Sequence, residues 1–288
     1  MQCRICPRRC GADRSKTAGF CGAGDSFLVA RAALHRWEEP CIGGEKGAGA
    51  IFFGGCNLKC IFCQNERISH VARGRRMEPE ELVALFKQLQ QQGAQTIDLV
   101  NPTHYTSQLY EVLKKDKPSI PVVWNSGGYE CVESLRMMRG LVDVYLPDIK
   151  YFDSEKSFRY AGVRDYFSYV SAAVQEMVAQ TGPAVFDENG ILLRGTLIRH
   201  LVLPANTRQA MQILDWISET LPKGVLISLM CQYIPVARAA EAPELNRRLK
   251  RWEYRRVVDY ACKLGLTDGY VQEFSSASGQ FVPVFDWA

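Results

Sequence analysis

From residue 50 onward, short apolar runs alternate with stretches whose apolar residues recur every three or four positions, and this alternation admits few folds. The run Ala50-Ile51-Phe52-Phe53 opens a buried strand over 50–55, and 79–92 reads as a helix because Leu82, Leu85, Phe86 and Leu89 share one face. Further strands are expected at 96–100, 122–124, 142–146, 196–203, 225–230 and 269–274, with helices at 105–115, 130–139, 154–181, 208–220 and 244–264. Asp187-Glu188-Asn189-Gly190 marks the turn of a small hairpin. Strand–helix units in series build a parallel sheet with right-handed crossovers. About six units follow residue 49, short of the eight of a complete barrel. In such folds the active site lies at the C-terminal ends of the strands.

What stands at the end of the first strand is chemically specific. After Gly54-Gly55 come Cys56, Cys60 and Cys63, spaced C-x3-C-x2-C. Three thiolates this close can each hold one iron of a cubane iron–sulfur cluster. The fourth iron then lacks a protein ligand and stays open to a substrate or cofactor, as in open catalytic metal sites. Phe62, next to the last cysteine, could flank a purine with its flat ring. A zinc site or a disulfide-prone group is the plainer reading of the same spacing.

Polar residues also follow the later strands: Asn101, Thr103 and His104, then Asn125 and Ser126, then Asp148 and Lys150, then Gln232 and Tyr233. Arg199 and His200 fall within the fifth strand, and alternation alone does not say which points inward. Together they suggest a lined cavity. Taken singly, each has a blander explanation: His104 as a helix cap, Asp148 with Lys150 as a simple ion pair.

The stretch Cys56 to Cys63, with its aromatic Phe62, resembles the signature of the radical S-adenosylmethionine (SAM) superfamily. The resemblance implies a partial (β/α)6 TIM-like barrel of α/β class. It also implies a [4Fe-4S] cluster at Cys56, Cys60 and Cys63 that binds SAM and cleaves it reductively. Phe62, Asn101, Thr103, His104, Asn125, Ser126, Asp148, Lys150, His200 and Gln232 are the expected cofactor-binding set. Phe53 to Glu66, Asp148-Ile149-Lys150 and Ile198 to Pro204 are similar to the activating enzymes of glycyl-radical enzymes, such as that of pyruvate formate-lyase. Uncharacterised homologues of those enzymes look more similar still, at Glu38-Glu39-Pro40, Cys63-Gln64-Asn65, Pro102 to Tyr105 and Gln232-Tyr233. Asn101-Pro102-Thr103 stands where the activating enzymes carry Gly-Gly-Glu. The resemblance implies hydrogen abstraction from a protein or peptide, with an electron donor such as flavodoxin or ferredoxin. A small-molecule substrate is the alternative within catalysis, and a non-catalytic iron–sulfur or RNA-associated protein the alternative outside it.

Residues 1–45 read as an irregular cysteine-rich N-terminal arm and 46–288 as the barrel. Cys3, Cys6, Cys10 and Cys21 follow C-x2-C-x3-C-x10-C, a complete thiolate set for zinc or for a second iron–sulfur cluster. Cys41 is a candidate fifth ligand or a free thiol; Cys131, Cys231 and Cys262 are expected in the core. The chain of 288 residues is 47% hydrophobic, which supports a large core. Eleven cysteines without a secretory leader point to metal binding in a reducing cytoplasm rather than to disulfides. No stretch is long and apolar enough for a membrane span. The net charge of +4 does not call for nucleic acid, and the basic run Arg247 to Arg256 is expected to be a solvated helix face.

Overall fold

The computed structural model describes residues 2–274, 285 and 287. Its described strands form one ten-stranded sheet: β1 (Phe27–His35), β2 (Ala48–Phe53), β3 (Arg75–Met77), β4 (Ile97–Val100), β5 (Val122–Ser126), β6 (Val144–Pro147), β7 (Val185–Phe186), β8 (Leu192–Leu201), β9 (Leu226–Met230) and β10 (Gly269–Val271). The strand order is β10-β9-β8-β6-β5-β4-β2-β1-β3, and β2 through β10 along this path are parallel. The sheet does not close: β3 ends one edge and β10 the other. This is the partial α/β barrel.

Helices return the chain between strands: α3 (Pro79–Gln91), α4 (Thr106–Lys115), α5 (Val132–Met137), α7 (Tyr166–Thr181), α8 (Thr207–Thr220) and α9 (Arg251–Lys263). The short helices α1 (Pro40–Gly43), α2 (Glu66–Ser69) and α6 (Ser154–Ala161) lie in the connections. In α3, Pro79 occupies the first turn, where its missing N–H costs nothing, and the Glu81 carboxylate accepts from the Glu78 N–H at 3.0 Å. The four apolar residues predicted to share its face are the four it buries.

Four local expectations differ from what is found. Residues 27–35 form a nine-residue strand antiparallel to β2, so the arm is not irregular throughout. Its alternation is masked because six of its nine residues are Ala, Leu or Val. The helix expected over 154–181 breaks at Gly162, which takes a left-handed φ of 66° and ends α6. Over 244–264, a single 3-10 turn (Pro243–Leu245) precedes α9, and Trp252 is exposed. Cys262, expected in the core, is exposed as well.

Strand parity divides the molecule. Ile97, Leu99, Trp124 and Tyr145 point outward into the helices with Leu82, Phe86 and Leu109. Ala48, Val123, Val144, Leu146, Leu197 and Leu226 point inward, and Cys41 and Ile42 of α1 plug that end of the barrel. Thr96 Oγ1 donates to the Ile42 carbonyl at 3.0 Å and holds the plug in place. Above this apolar layer the inward positions turn polar.

Candidate active site

The cysteine loop leaves β2 through two glycines that nothing else could replace. A Cβ on Gly54 would stand 2.3 Å from the Arg73 carbonyl oxygen. On Gly55, whose φ is +89°, it would stand 2.3 Å from the Cys21 carbonyl oxygen. The loop is then fixed on every side. The Asn57 side chain donates to the Tyr129 carbonyl at 2.8 Å, the Ile61 N–H to Tyr160 at 2.9 Å, and the Arg238 N–H to Ile61 at 2.7 Å. Each of the three sulfurs meets at least one hydrogen-bonding group. The Leu58 N–H lies 3.3 Å from Cys56 Sγ, the Tyr151 hydroxyl donates to Cys60 Sγ at 3.0 Å, and Ser69 Oγ lies 3.4 Å from Cys63 Sγ. Burial pushes the Cys60 thiol up to about 12, and burial raises Cys63 too. Bare thiolates would be costly there, so a bound cation is what suits them.

These cysteines open onto a cavity of about 260 Å3. Phe62, Asn101, Asn125, Ser126, Asp148, Lys150 and Gln232 line it, as the sequence suggested, together with Glu38, Arg199 and Met230. Phe62 stands edge-on to Tyr151, Tyr160 and Tyr233, which fix the plane of its ring. Two wider surface grooves, of about 410 and 710 Å3, lie away from the cysteines.

The floor of the cavity is a charge network built on the inward register of four strands. Arg199 follows the parity of Leu197 and points inward. Its Nε donates to Asp148 Oδ1 at 3.0 Å, one terminal nitrogen to Glu38 Oε1 at 3.0 Å, and the other to Asn125 Oδ1 at 2.6 Å. Lys150 Nζ pairs with the other Asp148 oxygen. The Asn125 amide donates to both Glu38 and Asp98 at 3.3 Å. Burial would raise the Asp148 carboxyl, but Arg199 and Lys150 outweigh it and hold it below the ordinary value. Burial, with Glu38 beside it, pushes Asp98 well above the carboxylate range; burial against a counteracting Arg199 brings Glu39 up to about 7. Asp148 and Glu38 thus face the two cations Arg199 and Lys150 across the floor.

Three expected contacts lie behind the wall instead. His104 packs under the glycine pair, where Nε2 donates to the Gly54 carbonyl at 2.8 Å. Burial lowers its pKa to about 4, so it is neutral at pH 7. Thr103 donates to Glu130 Oε1 at 2.7 Å, which also accepts from Trp124 at 3.1 Å. His200 follows Ile198 outward and donates from Nδ1 to the Ile149 carbonyl at 2.6 Å. Asn101, with a left-handed φ of 61°, turns its amide to the Gly55 carbonyl, so it supports the loop as well as lining the cavity. Glu38 was readable only as part of Glu38-Glu39-Pro40 ahead of the barrel. Nothing local signals that Tyr151 reaches Cys60.

Three thiols on a strand-end loop of a partial barrel are a ligand set suited to an iron–sulfur cluster. Residues 50–217 match the model of the radical SAM superfamily, and the chain belongs to that superfamily. Its cofactors are accordingly a [4Fe-4S] cluster and SAM. The thiols, each with its own hydrogen bond, fit the cluster. The chain is 32% identical over 274 residues to the uncharacterised protein MJ0674 of Methanocaldococcus jannaschii, covering 92% of this chain and 75% of that one. Among solved structures it is similar to Streptococcus suis SuiB bound to the precursor peptide SuiA, with a TM-score of 0.52, 14% identity and 77% of this chain covered. SuiB bound to SAM gives 0.50 at the same identity and coverage. The chain spans about half the length of SuiB (48% and 49%), and at this identity the likeness is one of fold. Among the described residues no helix is long and apolar enough to cross a membrane.

Proposed function

We propose that this chain binds SAM over Cys56, Cys60 and Cys63 and uses it to abstract hydrogen from a protein or peptide. The observation that carries the reading is the placement of the three thiols at a cavity whose floor presents Lys150 and Arg199, both held by Asp148. When bound, the cluster and SAM supply an electron and a carbon-centred radical at the 5′ position of deoxyadenosine.

The chain's own residues bind and orient. Lys150 and Arg199 are cationic donors suited to a carboxylate such as the one SAM carries. Asn125, Ser126 and Gln232 offer amide and hydroxyl groups suited to an amino group and a ribose diol. Phe62, fixed by three tyrosines, offers an apolar ring edge or face for the adenine. Asp148 keeps both cations in place rather than touching the reacting atoms. A peptide substrate is supported by the unclosed sheet, which leaves a side approach that a closed barrel lacks, and by the fold shared with SuiB, whose complex holds a precursor peptide. The electron would come from a small low-potential carrier such as a flavodoxin or ferredoxin.

The test is 5′-deoxyadenosine formation by anaerobically reconstituted, dithionite-reduced protein. Cys60→Ala is expected to abolish it, and undiminished formation would overturn the SAM reading. Adding the protein fraction of an extract of the source cells should accelerate formation. Acceleration only by the small-molecule filtrate would replace the peptide by a small-molecule substrate.

A further inference from the structure

The N-terminal arm has four thiols that SAM binding does not use. Cys3, Cys6, Cys10 and Cys21 lie within nineteen residues, and all eleven cysteines of the chain are free of disulfides. The arm folds its four thiols together although residues 3–26 contain no regular element. The Cys10 sulfur meets the Cys3 thiol, Cys6 lies within electrostatic range of Cys3 and Cys21, and Cys21 within range of Cys3 and Cys10. Gly19 is part of this cradle: a Cβ there would stand 3.3 Å from Cys10 Sγ and 3.5 Å from Cys21 Sγ.

The local backbone is that of ligand cysteines. Cys6 accepts from the N–H of Arg8, Cys10 from that of Ala12, and Cys21 from that of Ala23, each two residues ahead. The same turn occurs at the SAM motif, where Leu58 donates to Cys56 and Asn65 to Cys63. An amide aimed at sulfur is a donor of the kind that a metal-bound thiolate accepts from. Arg14 adds a positive charge near Cys21.

The amide turns of the arm are those of the SAM motif, whose thiols suit a cubane, and this likeness favours the same kind of centre in the arm. A cubane takes each of four thiolates on a different iron, whereas zinc would draw all four to about 2.3 Å from one point.

We propose that Cys3, Cys6, Cys10 and Cys21 ligate a second [4Fe-4S] cluster, closed by protein thiolate on every iron. With no open iron it takes no SAM. It sits against the back of the catalytic loop. The Cys56 N–H donates to the Cys21 carbonyl at 3.1 Å, Asn57 reaches the Cys6 sulfur, and Arg8 donates to the Asn57 carbonyl at 2.8 Å and to Ala161 at 2.8 Å.

The experiment is iron, sulfide and zinc analysis with electron paramagnetic resonance on three anaerobically reconstituted full-length proteins. Wild type should hold about eight irons, two cubanes' worth. The Cys6→Ser, Cys10→Ser variant should hold about four, with a reduced signal that still changes when SAM is added. The Cys56→Ser, Cys60→Ser, Cys63→Ser variant should also hold about four, with a reduced signal that SAM leaves unchanged. The last protein keeps the arm intact, so the proposal remains testable if the arm variant fails to fold, and it does not depend on SAM chemistry. About one zinc and no iron in that protein would overturn the proposal, as would loss of all metal from it.

Discussion

At the scale of single residues, the cavity floor shows how a barrel tolerates buried charge. Arg199 is the hub, bonded to Asp148, Glu38 and Asn125. Removing one partner of such a network leaves the others uncompensated. Arg199→Met is therefore expected to cost about 3–5 kcal/mol in denaturant unfolding and to weaken SAM binding. Asp98 behaves in the opposite sense. Its carboxyl is raised well above the ordinary value by burial and then by Glu38. A carboxyl raised by folding holds its proton more tightly in the folded chain than in the unfolded one, so above the unfolded value folding is coupled to proton uptake there, at a cost in stability. Asp98→Asn keeps the shape, accepts from Asn125 and removes that cost. The variant should be as stable as wild type or more so at pH 7. Its advantage should shrink as pH falls from 7 towards about 4 and be gone below that, where the unfolded carboxyl is protonated too. Urea titrations at the two pH values check this; an advantage that grows on acidification would show Asp98 to be ionised in the fold.

At the scale of elements, α9 depends on one carboxylate. Glu253 accepts from the N–H of Lys250 at 2.9 Å and of Ala205 at 2.7 Å, and both Glu253 oxygens meet Arg247 at 2.7 Å. This ties the helix start to the loop after β8. It also explains part of the basic run Arg247 to Arg256: its first arginine is paired. Burial works against the charge, but Arg247 and the two amides prevail and bring the Glu253 pKa to about 2. A depressed carboxylate contributes stability above its unfolded pKa and loses it as pH falls through the folded one. Glu253→Gln should cost up to about 3 kcal/mol at pH 7, and the gap from wild type should close between about pH 4.5 and 2. Thermal unfolding across that range measures it; a gap independent of pH would mean that the Glu253 contribution does not come from its charge.

At the scale of the whole molecule, the arm, the glycine pair and the open barrel meet at one loop. The loop is held by Asn101, His104 and the carbonyls of Tyr129 and Cys21, all from other parts of the chain. Clusters bind the folded chain and not the unfolded one, so occupancy adds directly to stability. Reconstituted protein should melt several degrees above the iron-free protein, with the arm and SAM-motif variants in between. Calorimetry under anaerobic conditions tests it, and equal melting temperatures would show that cluster binding is not coupled to the fold.

Much of this was legible in the residues alone. The three-thiol motif with its Gly-Gly approach, the β–α alternation and most rim positions depend on near neighbours in sequence. Spacing sets the reach of a turn, and period sets which face is apolar. The face that Arg199 or His200 presents was not decided locally, because both neighbours of the pair are apolar. It is decided by packing, which places Leu197 in the barrel plug and Ile198 among the outer helices. Glu38 enters the cavity only because β1 pairs with β2 and α1 plugs the barrel, a pairing between segments whose alternation is hidden by apolar side chains. Tyr151 finds Cys60 across ninety-one positions of chain. Chemistry that rests on local spacing is written in the sequence; contacts made by curving the sheet around a common interior belong to the tertiary structure, because only there do distant inward-facing residues share one small volume.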